Sequence, residues 1–266
     1  MTTDANPART GAYATLNGLR IYYETHGSGK PLVLLHGGVL TLDRTFGPIL
    51  SALAKNHQII GIELQGHGHT ADSAREMTLE NLASDVEDLL RNLRIDQADF
   101  FGFSLGGMVS LELAVHHPEL AGRLVLASVP RQLDGYHPGT RPGAAEPDWG
   151  RLPTAADGQM MENDYRRVAP DPAHFQQHLA KTSALVAAFR GWSVDQLRAV
   201  QSPTLLIIGD NDFVRIDHAA EMQRMIPGAQ LAVLPGTRHM EVMWRADQVL
   251  AIVIPFLDAP LADGSS

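Results

Sequence analysis

A serine set between glycines, Gly102-Phe103-Ser104-Leu105-Gly106, constrains this chain more than any other feature. An apolar run of strand character precedes it, and Met108 to His117 reads as a helix, so the motif G-x-S-x-G lies in the strand-turn-helix context it needs. A serine on so tight a turn sits in a sparsely populated backbone region, at a cost of about 1 to 3 kcal/mol. Only neighbours without a Cβ let strand and helix approach that closely, and Gly102 and Gly106 supply the room. The turn pushes the hydroxyl out above the sheet. It also aims the amide of Leu105, in the first turn of the helix, at the same space, where it can stabilise an oxyanion. Taken alone, the stretch is equally compatible with a glycine-rich turn that holds a phosphate.

Downstream, Thr204 to Gly209 is a short apolar, β-branched run of buried-strand type that ends at Asp210-Asn211-Asp212. Carboxylates at the C-terminal ends of strands are where sites of open parallel sheets collect. Gln230 to Leu234 reads as a further strand, and Pro235-Gly236-Thr237-Arg238-His239 as a loop that delivers a histidine to the same edge. The chain order is serine, aspartate, histidine.

With these features the chain resembles the α/β-hydrolase superfamily, in its compact, capped serine esterase form, over nearly its whole length. Four boxes carry the resemblance: His36-Gly37-Gly38 after one strand, Gly66-His67-Gly68 after the next, the serine turn, and Gly209 to Asp212 with His239. The resemblance implies an α/β fold: a mostly parallel, twisted sheet of about eight strands flanked by helices. It assigns residues 1–130 and 203–266 to the core and residues 131–202 to an inserted cap that is helical and rich in loops. It also implies a catalytic triad of Ser104, Asp212 and His239, with Asp210 as runner-up for the acid, since the family places the acid three residues after the strand-ending glycine. Asp210 then serves as a turn residue. Gly38, after His-Gly, is the implied second oxyanion donor beside Leu105. Trp149, Trp192 and Tyr165 are implied substrate contacts from the cap, with Tyr136, Phe175 and Phe189 as further candidates, although large aromatics at helical spacing also pack small subdomains.

The implied function is a serine hydrolase cleaving a carboxylic ester or lactone through an acyl-enzyme, with bulky lactones such as macrolides among the substrates of similar proteins. The same triad serves carbon–carbon bond hydrolases, amidases and acyltransferases, and a hydrolase scaffold also serves non-enzymatic ligand receptors. Ser104 stands where epoxide hydrolases and dehalogenases carry an aspartate. Val39 in place of proline after the His36 box weakens the likeness to the dehalogenase and perhydrolase branches. Glu63, where the family often has aspartate, is expected to affect loop packing.

No cofactor or metal is expected. His67-Gly68-His69 has the look of a metal pair, but no carboxylate cluster at ligand spacing accompanies it. His36 is expected to fix its loop. His116-His117 is expected to end a helix, where a partly positive side chain suits the dipole. A formal net charge of -9 with 21 Lys and Arg argues against nucleic acid as a partner, and the expected partner is a small ester or lactone. Zero cysteines exclude disulfides and thiolate chemistry. Met1 to Gly11 lacks the apolar centre of a signal peptide, and no apolar run approaches the ~18 residues of a membrane span, so the expected location is cytoplasmic.

The remaining pattern fills in the alternation of an α/β chain. Tyr13 to Leu16, Asn17-Gly18 and Leu19 to Glu24 predict a hairpin with a type I′ turn. Pro31 to Leu35 and Gln58 to Ile62 are continuous apolar runs, as in strands buried on both faces. Thr78 is the predicted N-cap of a helix striped by Leu79, Leu82, Val86, Leu89, Leu90 and Leu93. Helices are predicted at Asp217 to Met225 and Ala246 to Leu257, and helical pieces within the insertion at Met160 to Val168, Ala173 to Phe189 and Val194 to Val200. Residues before about Thr10 and after Asp258 are expected to be untied.

Overall fold

The computed structural model describes residues 10–260, so the expectation of untied ends lies mostly outside the described residues. The strands are β1 (Thr10–Leu16), β2 (Leu19–His26), β3 (Lys30–Leu35), β4 (His57–Ile62), β5 (Ala98–Phe103), β6 (Ala121–Ala127), β7 (Thr204–Asn211) and β8 (Gln230–Arg238). They form one eight-stranded sheet in the order β1-β2-β4-β3-β5-β6-β7-β8. β2 runs antiparallel to β1 and β4, and every other pairing is parallel. The helices are α1 (Leu42–Leu53), α2 (Leu79–Asn92), α3 (Leu105–His116), α4 (Ala155–Val168), α5 (Phe175–Ala188), α6 (Val194–Arg198), α7 (Ile216–Met225) and α8 (Ala246–Asp258).

The continuous apolar runs feed two cores at once. Val33 and Leu35 of β3, with Phe100 of β5 and Leu206 of β7, pack with α2, α3 and α7. Their alternate neighbours Leu32, Leu34, Phe101, Phe103, Leu205 and Ile207 pack with α1 and α8 on the opposite face. α3 lies between the sheet and α2 and is buried from Leu105 through Ala114, which accounts for an apolar surface on all its sides. Asn17 and Gly18, both at positive φ, close the β1–β2 hairpin as their turn chemistry predicts. Thr78 caps α2 by accepting from the Asn81 amide.

The structure differs from the sequence pattern in three places. α1 is a full helix where the sequence analysis names none, with Pro48 inside it. Pro48 removes one helical hydrogen bond, but Phe46, Ile49 and Leu53 are buried against the sheet, and burial outweighs the local defect. α3 begins at Leu105, directly after the serine. β8 continues through Pro235-Gly236-Thr237 to Arg238, where a loop was expected. Its pairing jumps from Gly209↔Leu234 to Asn211↔Arg238, so Pro235 and Gly236 lie in a bulge of an edge strand, where a missing amide is tolerated.

Between β6 and β7 the chain leaves the sheet and forms α4, α5 and α6 with short 3-10 turns at Leu133–Gly135, Pro138–Thr140 and Pro172–His174. Side chains tie this segment down. Arg44 Nε donates to Asp164 Oδ2 at 2.6 Å, and His174 Nε2 and Lys181 Nζ meet Asp72 Oδ2 at 2.8 and 2.7 Å.

Candidate active site

Ser104 follows β5 with φ 50° and ψ -115°, a left-handed conformation that a non-glycine residue adopts at a cost. Its neighbours explain how the turn closes. A Cβ on Gly106 would lie 2.1 Å from the Leu35 carbonyl oxygen, and one on Gly102 would lie 2.4 Å from that of Gly106. The Ser104 amide donates to Ala127 O at 2.8 Å and the Gly106 amide to His36 O at 3.0 Å, so the turn is bolted to β6 and to the loop after β3.

His239 follows β8 and is buried. Its Nε2 lies 3.1 Å from Ser104 Oγ and its Nδ1 2.7 Å from Asp212 Oδ1. With the carboxylate able only to accept, Nδ1 carries the proton and Nε2 accepts from the serine hydroxyl. The Phe213 ring stacks on the imidazole at 4.0 Å and 7°, and Phe103 lies 5.1 Å away, so the ring plane is held from its sides. Asp212 is fully buried. Burial alone would raise its carboxyl, but the charge and hydrogen bond of His239, the Ser128 hydroxyl and the Val214 amide together bring it below the ordinary carboxylate value.

Asp210 takes the turn role instead. Its Oδ1 accepts from the Thr237 amide at 3.0 Å and from Asn211 Nδ2 at 3.1 Å, which secures the bulge of β8. Backbone donors at Gly236 and Thr237 hold its carboxyl below the ordinary value.

Leu105 is the first residue of α3, so its amide has no acceptor within the helix. Gly38 sits against it: a Cβ on Gly38 would be 3.7 Å from that of Leu105 and 3.0 Å from Thr182 Cγ2 of α5. Two histidines shape the loop that carries Gly38. His36 Nδ1 donates to Gly37 O at 2.9 Å while Nε2 accepts from the Leu64 amide at 3.1 Å. His67 Nδ1 donates to Gln65 O at 2.9 Å, and Nε2 accepts from the amide of Val39, itself at φ 61°. Desolvation pushes His36 down to about 3 and His67 well below its ordinary value, so both are neutral bonding groups. His69 turns away to Glu63, whose carboxylate also receives the amides of His69 and Leu42. Glu63 thus organises the loop, and His67 and His69 do not converge.

The aromatic residues of the inserted segment are placed differently from one another. Tyr165 is buried and stacks on His178 of α5 at 5.1 Å and 15°. Trp192 is buried, donates from Nε1 to Glu112 Oε2 of α3 at 2.6 Å, and borders a cavity of about 600 Å³ with Met77, Leu185 and Phe189. Trp149, an expected substrate contact, lies at the surface. It is 74 % exposed, because the Pro- and Gly-rich stretch around it forms no helix to press it inward. Sequence reasoning missed Ser128 and Phe213, which brace Asp212 and His239. Ser128 ends an apolar strand run as Ser104 does, and that is the signal that could have found it.

The family model of alpha/beta hydrolases matches residues 32–252. This chain belongs to the alpha/beta hydrolase family. Among its relatives, RutD of Rhizobium rhizogenes is 26% identical over 259 residues, covering 90% of this chain and 98% of that one. The dihydrolipoyllysine-residue acetyltransferase component of the acetoin cleaving system of Pseudomonas putida is 30% identical over 260 residues, covering 89% of this chain and 66% of that longer one. A crystal structure of a hydrolase from Pseudomonas aeruginosa PA01 superposes with a TM-score of 0.74 at 25% identity, covering 96% of this chain and 100% of that one. Family membership makes the chain a hydrolase. Among the described residues, no helix is long and apolar enough to cross a membrane.

Proposed function

We propose that this alpha/beta hydrolase cleaves a carboxylic ester or lactone of a small molecule, using Ser104 as nucleophile, His239 as base and acid, and Asp212 as the orienting acid. The relay Ser104 Oγ–His239 Nε2 (3.1 Å) and His239 Nδ1–Asp212 Oδ1 (2.7 Å) carries this reading. As Ser104 Oγ bonds to the substrate carbonyl carbon, its proton passes to His239 Nε2, and the imidazolium is stabilised by the Asp212 carboxylate. The carbonyl oxygen becomes an oxyanion, for which this reading takes the amides of Gly38 and Leu105 as donors, each worth about 10²- to 10³-fold in rate. Collapse expels the alkoxide, which takes the proton from His239. Water then repeats the steps on the acyl-serine and releases the acid. In a lactone, alcohol and acid remain one molecule, and the net gain is one water.

Residues 131–202 act in this reading as a cap over the serine. Thr182 against Gly38, and Val39 packed with Tyr165 and Phe175, support it. Substrate selection then rests on α4 and α5, which meet the loop of Gly38 and Val39, whereas the cavity beside Trp192 has none of Ser104, Asp212 or His239 in its lining.

The test is a panel of acyl esters of graded chain length beside large lactones, scored by mass spectrometry for the addition of one water. Ser104→Ala is expected to abolish turnover while leaving the fold intact, and a fluorophosphonate probe is expected to label Ser104 and no other serine. Residual turnover within tenfold of the wild type would overturn the assignment.

A further inference from the structure

Ser128 stands directly after β6 in a conformation that suits glycine. Its φ is 60°, its amide donates to Ile207 O at 2.8 Å, and its side chain is fully buried. A glycine would hold this backbone without strain, so a buried hydroxyl here calls for a reason in what it bonds. Its Oγ lies 2.5 Å from Asp212 Oδ2, and since the carboxylate only accepts, the serine donates. The two oxygens of Asp212 are served unequally. Oδ1 receives His239 Nδ1 at 2.7 Å and the Val214 amide at 3.2 Å. Among the described residues, Oδ2 has Ser128 and, beyond it, only the Gly209 amide at a long 3.4 Å.

We propose that Ser128 is a positioning residue of the active site, a fourth member of the relay that fixes the rotation of the Asp212 carboxylate and disperses its charge. The proposal rests on the reading of Asp212 as the orienting acid. Without the Ser128 hydroxyl, Oδ2 is a buried anionic oxygen with one weak donor, and the carboxylate is free to rotate about its χ2 and spoil the bond to His239 Nδ1. The other ionisable groups facing the pair are Tyr136, whose phenol is raised by burial and by the Asp212 charge, and Arg151, whose Nη1 donates to the Asp212 carbonyl at 3.2 Å.

The decisive variant is Ser128→Gly, which removes the hydroxyl and relieves the left-handed strain. A residue with only a structural role would lose stability and activity together. Here the Tm is expected to stay level or rise while kcat falls about tenfold at unchanged KM. The double variant Ser128→Gly/Asp212→Asn is expected to be no slower than Asp212→Asn alone, because the hydroxyl acts through the carboxylate. A readout independent of turnover separates this proposal from the functional one. In proton NMR, the downfield resonance of the His239 Nδ1–H bound to Asp212 is expected to move upfield or broaden in Ser128→Gly, as the freed carboxylate loosens that bond. An unmoved resonance, a kcat within twofold of wild type, or multiplicative loss in the double variant would each overturn the role of Ser128. Loss of the ester assignment alone would leave the NMR result standing.

Discussion

Asp210 and Asp212 have the same side chain and lie two positions apart, yet only Asp212 meets the histidine. Asp210 lies beside the bulge of β8 and binds the Thr237 amide, whereas Asp212, buried past the end of β7, places Oδ1 2.7 Å from His239 Nδ1. Asp212→Asn presents an amide that can donate to Nδ1, which forces the wrong tautomer and is expected to lower kcat by about 10⁴-fold. Asp210→Asn keeps an acceptor for Thr237 and is expected to cost less than tenfold. Steady-state kinetics of the two variants on one good ester decides between them, and the reverse ranking would make Asp210 the working acid. At this scale the sequence was legible wherever chemistry dictates residue type in a fixed local frame, as at Ser104 with its glycines. It was silent on Ser128 and Phe213, whose roles exist only because distant strands end side by side. For Trp149 it suggests a substrate contact, and the structure puts the side chain at the surface.

Among elements, the contact of α3 with β3 sets the geometry of the whole site, and Gly106 is the residue that permits it. A Cβ there would meet the Leu35 carbonyl at 2.1 Å, backbone against backbone, with no flexible side chain to yield. Gly106→Ala is therefore expected to drive α3 off the sheet, with the Tm falling by ten degrees or more, on the order of the few kcal/mol that overpacking costs, and with loss of fluorophosphonate labelling at Ser104. Gly158 in α4 offers the opposite case. Its φ is ordinary and nothing lies within 4 Å of the added methyl, so Gly158→Ala is expected to stabilise the protein by about 0.5 to 1 kcal/mol in urea unfolding, with labelling unchanged. Strands buried on both faces announced themselves as unbroken apolar runs, and Thr78 announced α2. α1 did not, because Gly47-Pro48 carries a local signal for a break that the burial of Phe46 and Ile49 against the sheet outweighs. Local chemistry is visible in one sequence, whereas the tertiary contacts that overrule it are not.

For the whole molecule, the buried histidines make stability depend on pH in a direction that can be worked out. Burial holds His36 at about 3 and His178 at about 4, and His67 well below its ordinary value, so the folded protein keeps all three neutral. In the unfolded chain they titrate near ~6.5. A folded-state value below the unfolded one means that stability is complete above about pH 6.5 and is lost as the pH falls, since the unfolded chain takes up protons that the native state refuses. Each group steepens the loss by up to about 1.4 kcal/mol per pH unit. His218 and His137, also lowered by burial, act in the same direction, while His69, raised by its bond to Glu63, opposes them. Below pH 4 the carboxylates whose values are depressed, such as Asp212 and Glu241, add their own loss. His178 offers a clean test. It lies between the rings of Tyr165 and His67 within reach of the charges of Asp72, His174 and Lys181, and both its nitrogens are buried without a hydrogen-bond partner among the described residues. His178→Phe keeps the stack and removes two unpaired polar atoms, so at pH 7.5 the variant is expected to equal or exceed the wild type in stability by about 1 to 3 kcal/mol. Between pH 6 and 5 its unfolding free energy, measured in urea, is expected to fall less steeply by close to one proton's worth. An equal slope in the two proteins would show that His178 is protonated in the native fold, and that the ring column joining the Gly66-His67 turn to α4 and α5 tolerates charge.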